Sequence, residues 1–160
     1  MPDRAPLIVR SADPADAPGI LACLREAFAP FEAAYTPAAF IDTVLSPAAL
    51  EQRLGAMTVL VAARGTLIAG TVGFSAHEGE GHIRGMAVLD AWQGTGLAAE
   101  LLAAAESGLR ALGCRRFTLD TTEPLTRAIA FYRKHGYTAT GQVQDFFGMP
   151  LLEFAKLLGS

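Results

Sequence analysis

Cysteine is scarce in this chain of 160 residues, which contains only Cys23 and Cys114. The two residues lack the close spacing of metal ligands, and two cysteines are too few for a disulfide framework. We therefore expect both to be buried free thiols, and the sequence predicts no metal site. The chain also lacks internal repeats, low-complexity tracts and evident linkers, so one domain over residues 1–160 is expected.

Long apolar runs and clustered positive charge are missing as well. No apolar run approaches the roughly 20 residues of a membrane helix, and residues 1–4 open the chain without a signal-peptide core. The formal net charge is −3, and the basic residues are scattered, whereas a nucleic-acid backbone is bound by clustered Lys and Arg. Hydrophobic residues make up 51% of the chain, which is typical of globular proteins. We expect a cytoplasmic protein that binds neither a membrane nor a nucleic acid.

The spacing of apolar residues predicts a sheet with helices packed against it. Strands are expected over residues 7–10, 57–63, 67–76, 82–89, 116–121, 137–145 and 151–156, and helices over 17–28, 94–112 and 124–135, with one or two short helices between 30 and 54. The early strands follow one another through turns and should be antiparallel, whereas a strand–helix–strand crossover requires parallel strands. The expected fold class is α+β, with a mixed six- to seven-stranded sheet flanked by helices.

The most informative segment is the glycine-rich turn after the strand at 82–89. Gly94 and Gly96 lie immediately before a long apolar helix, whose first backbone N–H groups have no acceptor within the helix. Partial positive charge also collects at that end of a helix, and glycine lets the backbone approach an anion closely. The turn is therefore a candidate binding site for a phosphate group.

One candidate ligand for this turn is a dinucleotide. Gly94-x-Gly96-x-x-Ala99 matches the dinucleotide-binding fingerprint, and Asp120 follows at about the distance, roughly 20 residues, expected of a ribose-binding acid. The context argues against this interpretation, because several residues separate the strand from the first glycine. Too few strands follow the turn to complete a doubly wound sheet.

The other candidate is coenzyme A. Gln93-x-x-Gly96-x-Ala98 resembles the acetyl-CoA signature of the GNAT superfamily of N-acetyltransferases, and the segment from Phe131-Tyr132 to Gly136-Tyr137 is similar to the end of that family's last helix. The resemblance covers nearly the whole chain in the order of its elements. It implies the GNAT fold and transfer of the acetyl group of acetyl-CoA to a primary amine of a small molecule or peptide. A GNAT-fold protein that binds or senses acyl-CoA with little turnover is the alternative.

The resemblance also implies how acetyl-CoA binds as co-substrate. Its pyrophosphate would lie on the backbone N–H groups of the turn, with Ala99 near the edge of the site. Its pantetheine arm would pair like an extra strand with the backbone before the turn. The implied cofactor-binding residues are Met86, Ala87, Val88, Gln93, Gly94, Thr95, Gly96, Leu97, Ala98 and Tyr132. A homodimer is an expectation from the family alone.

Tyr132 matches the tyrosine that family members commonly use as general acid toward the thioester sulfur. A phenol with a pKa near 10 protonates a developing thiolate without being ionised at neutral pH. A half-buried aromatic that only packs the end of the helix is the other interpretation. The sequence departs from the family at Leu125, where an Asn that contacts the pantetheine arm often stands.

The general base is less defined by sequence. His82 occupies the position of a common family glutamate, and period-two alternation places it on one strand face with Arg84, Met86 and Val88. A histidine with a pKa near its reference value of about 6.5 accepts a proton at neutral pH. An idle surface histidine is an equal alternative, and the other candidate bases are Glu78, Glu80 and water.

The acceptor is not identified by the sequence. Aromatic residues near the N-terminal helices and in the last hairpin either line a pocket for an amine or belong to the core. Glu26, Glu32 or Asp42 could attract a cation there, whereas Arg84 could contact an acceptor carboxylate or only cap the edge of the site. The aromatic candidates are Phe28, Phe31, Tyr35, Phe40, Phe146 and Phe147.

Overall fold

Seven strands and five helices make up the regular elements of the structure, a computed structural model that describes residues 6–158. Residues 1–4, for which no signal-peptide core is expected, lie outside the described residues. The strands are β1 (Ile8–Ser11), β2 (Thr58–Arg64), β3 (Leu67–His77), β4 (Glu80–Val88), β5 (Arg116–Thr122), β6 (Thr138–Phe146) and β7 (Met149–Leu157). They form a mixed sheet in the order β1-β2-β3-β4-β5-β7-β6, which confirms the predicted fold class.

Two of the five helices in residues 6–158 begin at a residue whose side chain caps them. The five are α1 (Ala17–Phe28), α2 (Pro37–Val44), α3 (Pro47–Ala56), α4 (Leu97–Ala111) and α5 (Thr126–Lys134). The hydroxyl of Thr36 accepts the N–H of Ala39 at 3.2 Å, and that of Ser46 accepts the N–H of Ala49 at 3.1 Å. Each cap is followed by a proline, which lacks the N–H that would need a partner there. These signals divide residues 30–54 into two short helices, as predicted.

The strand directions follow from the connections. β1 to β4 are antiparallel neighbours, whereas β4 and β5 are parallel and are joined through α4. Both predictions are thus confirmed. The last strand, β7, lies between β5 and β6 and is antiparallel to each, so that the helical connection through α5 carries β6 to the edge of the sheet.

β4 contains a bulge at Gly85. Thr71 of β3 pairs with Ala87, but Gly73 pairs with Arg84, so that β4 carries one more residue than β3 over this interval. Gly85 has a φ of +68°, in the left-handed region that glycine adopts without a steric penalty. The bulge therefore reverses the alternation of side chains along the second half of β4.

This reversal corrects the predicted shared face of β4. Ile83, Met86 and Val88 all pack into the apolar cluster that includes α4. His82 points away from α4, because a Cβ at the preceding Gly81 would lie 2.6 Å from a leucine of that helix. Met86 and Val88 thus lie on the opposite face from His82.

The sheet separates two apolar clusters. One lies between the sheet and helices α4 and α5, and the other lies between the sheet and helices α1 and α3. Cys114 belongs to the first cluster and Cys23 to the second, and both are buried free thiols as predicted. None of the helices within residues 6–158 combines the length and the apolar character needed to cross a membrane.

Candidate active site

β4 and β5 pair over only part of their length. The parallel pairing runs from Glu80 with Arg116 to Ile83 with Leu119, although β4 continues to Val88. Among the described residues, no strand pairs with this side of β4 beyond Ile83. The unpaired ends of the two strands, which we call the β4–β5 gap, leave backbone N–H and C=O groups available to another extended chain.

The predicted cofactor-binding residues Met86, Ala87 and Val88 form the unpaired end of β4. Ala87 and Val88 are buried and Met86 is half-buried, and all three side chains pack into the two apolar clusters. A ligand in the β4–β5 gap therefore meets their backbone rather than their side chains. A ligand that pairs with a strand binds through such exposed backbone N–H and C=O groups.

The glycine turn shapes the start of α4. Gly94 and Gly96 have φ values of +78° and +88°, and Gly96 is the N-cap residue with no side-chain cap. The helix consequently begins at Leu97 rather than at the predicted Gly94. The first backbone bond back to the turn is donated by the N–H of Glu100 to the Gly96 carbonyl, at 3.1 Å. A Cβ at either glycine would meet nothing within 4 Å, so the backbone of the turn is open to a bulky anion.

Tyr132 lies on α5 within the cluster beneath α4 and α5. Its ring makes edge contacts with those of Phe131 and Tyr137, with centroids 5.5 and 6.1 Å away. Within residues 6–158 its hydroxyl has no hydrogen-bond partner. Burial raises the pKa of Tyr132 to about 12, which keeps the phenol protonated and available as a donor at neutral pH.

His82 is held by a short chain of hydrogen bonds between β4 and β5. The hydroxyl of Thr118 donates to the carbonyl of Gly81 at 3.4 Å, and the same oxygen lies 2.9 Å from Nδ1 of His82. When the proton of the neutral imidazole is on Nδ1, that N–H donates to the Thr118 oxygen and both contacts of Thr118 are satisfied, since its hydroxyl has one proton to donate. This tautomer leaves Nε2 as a proton acceptor, and Nε2 lies 3.5 Å from Oδ2 of Asp120.

The electrostatics of His82 suit a base. Partial burial lowers the pKa of the His82 imidazole below its ordinary value, with a further lowering by the charge of Arg84 and an opposing effect of Asp120. Burial raises the pKa of Asp120, whereas the charge of His82 acts to lower it. His82 is therefore neutral at pH 7, and a proton gained at Nε2 would place an imidazolium beside the Asp120 carboxylate.

The other candidate bases have different surroundings. Glu80 forms an ion pair with Arg116 at 2.9 Å. Glu78 lies in the turn after β3, where its side chain is 85% exposed and 3.7 Å from His77. Both carboxylates are more exposed to solvent than the His82 side chain.

Two residues of this arrangement were missed by sequence reasoning. The sequence does not single out Thr118, and it suggests Asp120 only as the ribose-binding acid of the dinucleotide interpretation. The observed register pairs His82 with Thr118, so that Asp120, two residues farther along β5, lies on the same face as His82. Because the sheet is mixed rather than doubly wound, the fold does not support the dinucleotide interpretation.

The N-terminal helices and the last hairpin meet on the same side of the sheet. The hydroxyl of Tyr35 lies 2.7 Å from that of Thr122 at the end of β5, and Thr36 donates to the carbonyl of Phe147 at 2.7 Å. Tyr35 and Phe40 are buried in a third apolar cluster and are core residues. The aromatic side chains that remain partly exposed beside that cluster are Phe28, Phe31 and Phe146.

Comparison with solved structures identifies the fold. PaiA N-acetyltransferase from Thermoplasma acidophilum, in complex with coenzyme A, superposes with a TM-score of 0.78 at 15% identity, covering 96% of this chain and 99% of that one. Ribosomal-protein-alanine N-acetyltransferase from Brucella melitensis gives 0.73 at 24% identity, with 95% and 100% covered. YncA from Salmonella typhimurium, solved with acetyl-CoA, gives 0.72 at 20% identity, with 98% and 96% covered.

The family comparison covers most of the chain. No curated protein sequence gives a significant match. The model of the acetyltransferase (GNAT) family matches residues 20–137, a range that contains the β4–β5 gap, the glycine turn and Tyr132. The chain belongs to the GNAT acetyltransferase family.

Proposed function

We propose that the protein transfers the acetyl group of acetyl-CoA to the primary amine of a small molecule or peptide. The observation that carries this proposal is the position of a neutral histidine, His82, where the pairing of β4 and β5 ends. An extended ligand paired with the open edge of β4 would have its inner end beside this histidine. In acyl transfer to an amine, a base beside the thioester can accept the proton that the amine loses.

The cofactor-binding residues are proposed from the same geometry. The backbone of Met86, Ala87 and Val88 would pair with the pantetheine arm, and the N–H groups from Gln93 to Ala98 would bind the pyrophosphate. The open space at Gly94 and Gly96 fits this assignment, as does the lack of a side-chain cap on α4. When bound, acetyl-CoA supplies a thioester activated toward amines.

His82 is proposed to act as the general base. Its Nε2 would accept a proton from the acceptor amine, either directly or through one water molecule. In the base form, Nδ1–H would donate to Thr118, and the carboxylate of Asp120 would stabilise the imidazolium that forms. Asp120 is thus a positioning and charge-stabilising residue rather than the proton acceptor.

Tyr132 is proposed as the general acid. Its hydroxyl is protonated at neutral pH and has no protein partner in residues 6–158 that would compete for its proton. It is therefore free to donate to negative charge that develops on the leaving sulfur. Holding both substrates in line supplies much of the remaining rate enhancement.

The test is a thiol-release assay with acetyl-CoA and a panel of amines: amino acids, polyamines, aminoglycosides and peptides with free N-termini. The proposal expects thiol release with at least one class and an equimolar acetylated amine by mass spectrometry. Calorimetric titration in parallel should show binding of acetyl-CoA and coenzyme A but not NAD(P). Preference for NAD(P) would overturn the proposal.

An acyl-CoA sensor with little turnover is the second candidate, and Leu125 favours it. Leu125 is the N-cap residue of α5. Its apolar side chain has no amide group that could contact the pantetheine arm. Tight binding of acetyl-CoA with no thiol release across the whole panel would support the sensor over the enzyme.

A further inference from the structure

Two arginines lie on the same side of the sheet as His82. Arg53 lies in the last turn of α3, and Arg84 lies on β4 two residues after His82, on the same face. Within residues 6–158 neither guanidinium has an ion pair within 4 Å or a hydrogen bond. Arg84 is exposed, and Arg53 is half-buried. The five N–H donors of each guanidinium are therefore not used by the described residues and remain available to a ligand.

Arg53 is fitted to the bulge of β4. Its Nη1 lies 2.6 Å from the point where a Cβ of Gly85 would stand, so any other residue at the bulge would displace the guanidinium. In a bulge, two successive residues share one side of the strand, and here Arg84 precedes Gly85 directly. The glycine therefore lets the Arg53 side chain reach the sheet surface immediately beside Arg84.

The surroundings of Arg53 do not satisfy its donors. It borders a cavity of about 10 Å³ with the apolar side chains of α1 and β2, which is room for about one water molecule. The burial and the charge of Arg84 lower the pKa of Arg53 to about 10, and the charge of Asp42 opposes them from beyond ion-pair distance. Asp120 interacts electrostatically with Arg84 but forms no ion pair with it within 4 Å, and its carboxylate faces His82.

We infer that Arg53 and Arg84 form an anion subsite for the acceptor, so that the amine substrate also carries a carboxylate or a similar acidic group. The inference rests on the proposed function and names its substrate class. The acid group would bind the two guanidinium groups, and the amine would lie at Nε2 of His82. Along a strand, two residues span about 6.6 Å, which suits an amine and an acid joined by a short spacer, as in a free amino acid.

The test compares matched acceptors in the thiol-release assay: α-amino acids, the corresponding aminophosphonates, the amino acid amides and simple polyamines. The acid should exceed its amide by about tenfold or more in kcat/KM, because a charged hydrogen-bonded pair contributes about 1.5–3 kcal/mol. Arg53→Gln and Arg84→Gln should each raise KM for the acid about 10- to 100-fold, and the ratio of kcat/KM for the acid to that for its amide should fall with it. A preference for the phosphonate over the carboxylate would identify the acid group more narrowly and support the subsite.

The control variant is Arg25→Gln, which removes an exposed arginine of α1 and should change neither KM. Arg53→Lys keeps the charge and should recover part of the acid preference if Arg53→Gln proves unstable. Acetylation of amides or polyamines as efficiently as amino acids would overturn the subsite while leaving the acetyltransferase proposal intact.

A binding experiment tests the anion subsite if the protein shows no turnover with any amine. If no amine releases thiol, the proposed function fails, and calorimetry with an N-acetyl amino acid and its amide on the coenzyme A complex decides the subsite alone. The subsite is supported if the N-acetyl amino acid binds more tightly than its amide and Arg84→Gln abolishes the difference. Equal binding of the acid and the amide overturns the subsite.

Discussion

Nε2 of His82 lies 3.5 Å from Oδ2 of Asp120. The two residues belong to neighbouring strands, close to the point where the pairing of β4 and β5 ends. His82 belongs to the last paired residues of β4, and Asp120 is the first residue of β5 beyond the pairing. The carboxylate is therefore at the mouth of the β4–β5 gap, where it can stabilise an imidazolium that forms at His82.

Asp120→Asn should move the pH dependence of the reaction. Asp120 raises the pKa of His82 against the effect of burial, so its removal lowers that pKa further. The acid limb of kcat/KM should shift to lower pH, and kcat should fall because the imidazolium loses its partner. A pH–rate profile of the variant checks this, with Glu51→Gln, an exposed acid on α3, as the control. An unmoved limb would remove Asp120 from the mechanism.

Gly96→Ala should weaken coenzyme A binding. The residue has a φ of +88° and initiates α4, so a Cβ there introduces about 1–2 kcal/mol of backbone strain and narrows the approach of the pyrophosphate. Gly113→Ala is a matched control, because Gly113 has a φ of +84° beyond the other end of the same helix. Both variants should lose stability to denaturant, but only Gly96→Ala should lose affinity in calorimetry. Equal losses of affinity would contradict the proposed phosphate site.

Tyr132→Phe should lower turnover by about 100-fold, the smaller part of the range for general acid catalysis. The Kd for coenzyme A should be nearly unchanged, since the ring and its packing remain. Because burial raises the pKa of Tyr132 to about 12, its loss should not alter the pH profile between pH 6 and 9. Full activity in the variant would show that another group protonates the sulfur.

Tyr137→Phe should affect stability rather than catalysis. The hydroxyl of Tyr137 donates to the buried carboxylate of Glu106 at 2.7 Å, and removing it costs about 1–3 kcal/mol. Tyr132→Phe is a matched control, because the Tyr132 hydroxyl has no partner within the described residues. Urea denaturation should separate the two variants, and equal free energies of unfolding would contradict the assignment.

Much of the fold was accessible to sequence reasoning because the signals are local. Apolar periodicity located the strands and helices, and Gly113 and Gly136 ended α4 and α5 as predicted, each with a positive φ. The parallel pair β4 and β5 followed from the length of the connection between them. The predicted first residues of helices were less accurate than the predicted ends. At Gly96, for example, the backbone is left-handed, so α4 begins at Leu97 rather than at Gly94.

The arrangement of the site depended on information that is not local. The bulge at Gly85 adds one residue to β4 and reverses its later side chains, which alternation alone does not reveal. The neighbourhood of His82 and Asp120 depends on the register between two strands joined by a long crossover. A sequence can suggest such a crossover, but not which residues it sets side by side.

The most direct test of the central claim is the pH dependence of kcat/KM for wild-type protein, His82→Gln and His77→Gln, with one active amine. Wild type and His77→Gln, whose histidine is exposed at the end of β3, should share an acid limb below pH 6.5, the ordinary pKa of histidine. This limb is separate from the ionisation of the amine at higher pH. His82→Gln should lose about 10²- to 10⁴-fold in kcat and lose the limb. Retention of the limb and of the rate in His82→Gln would contradict the account.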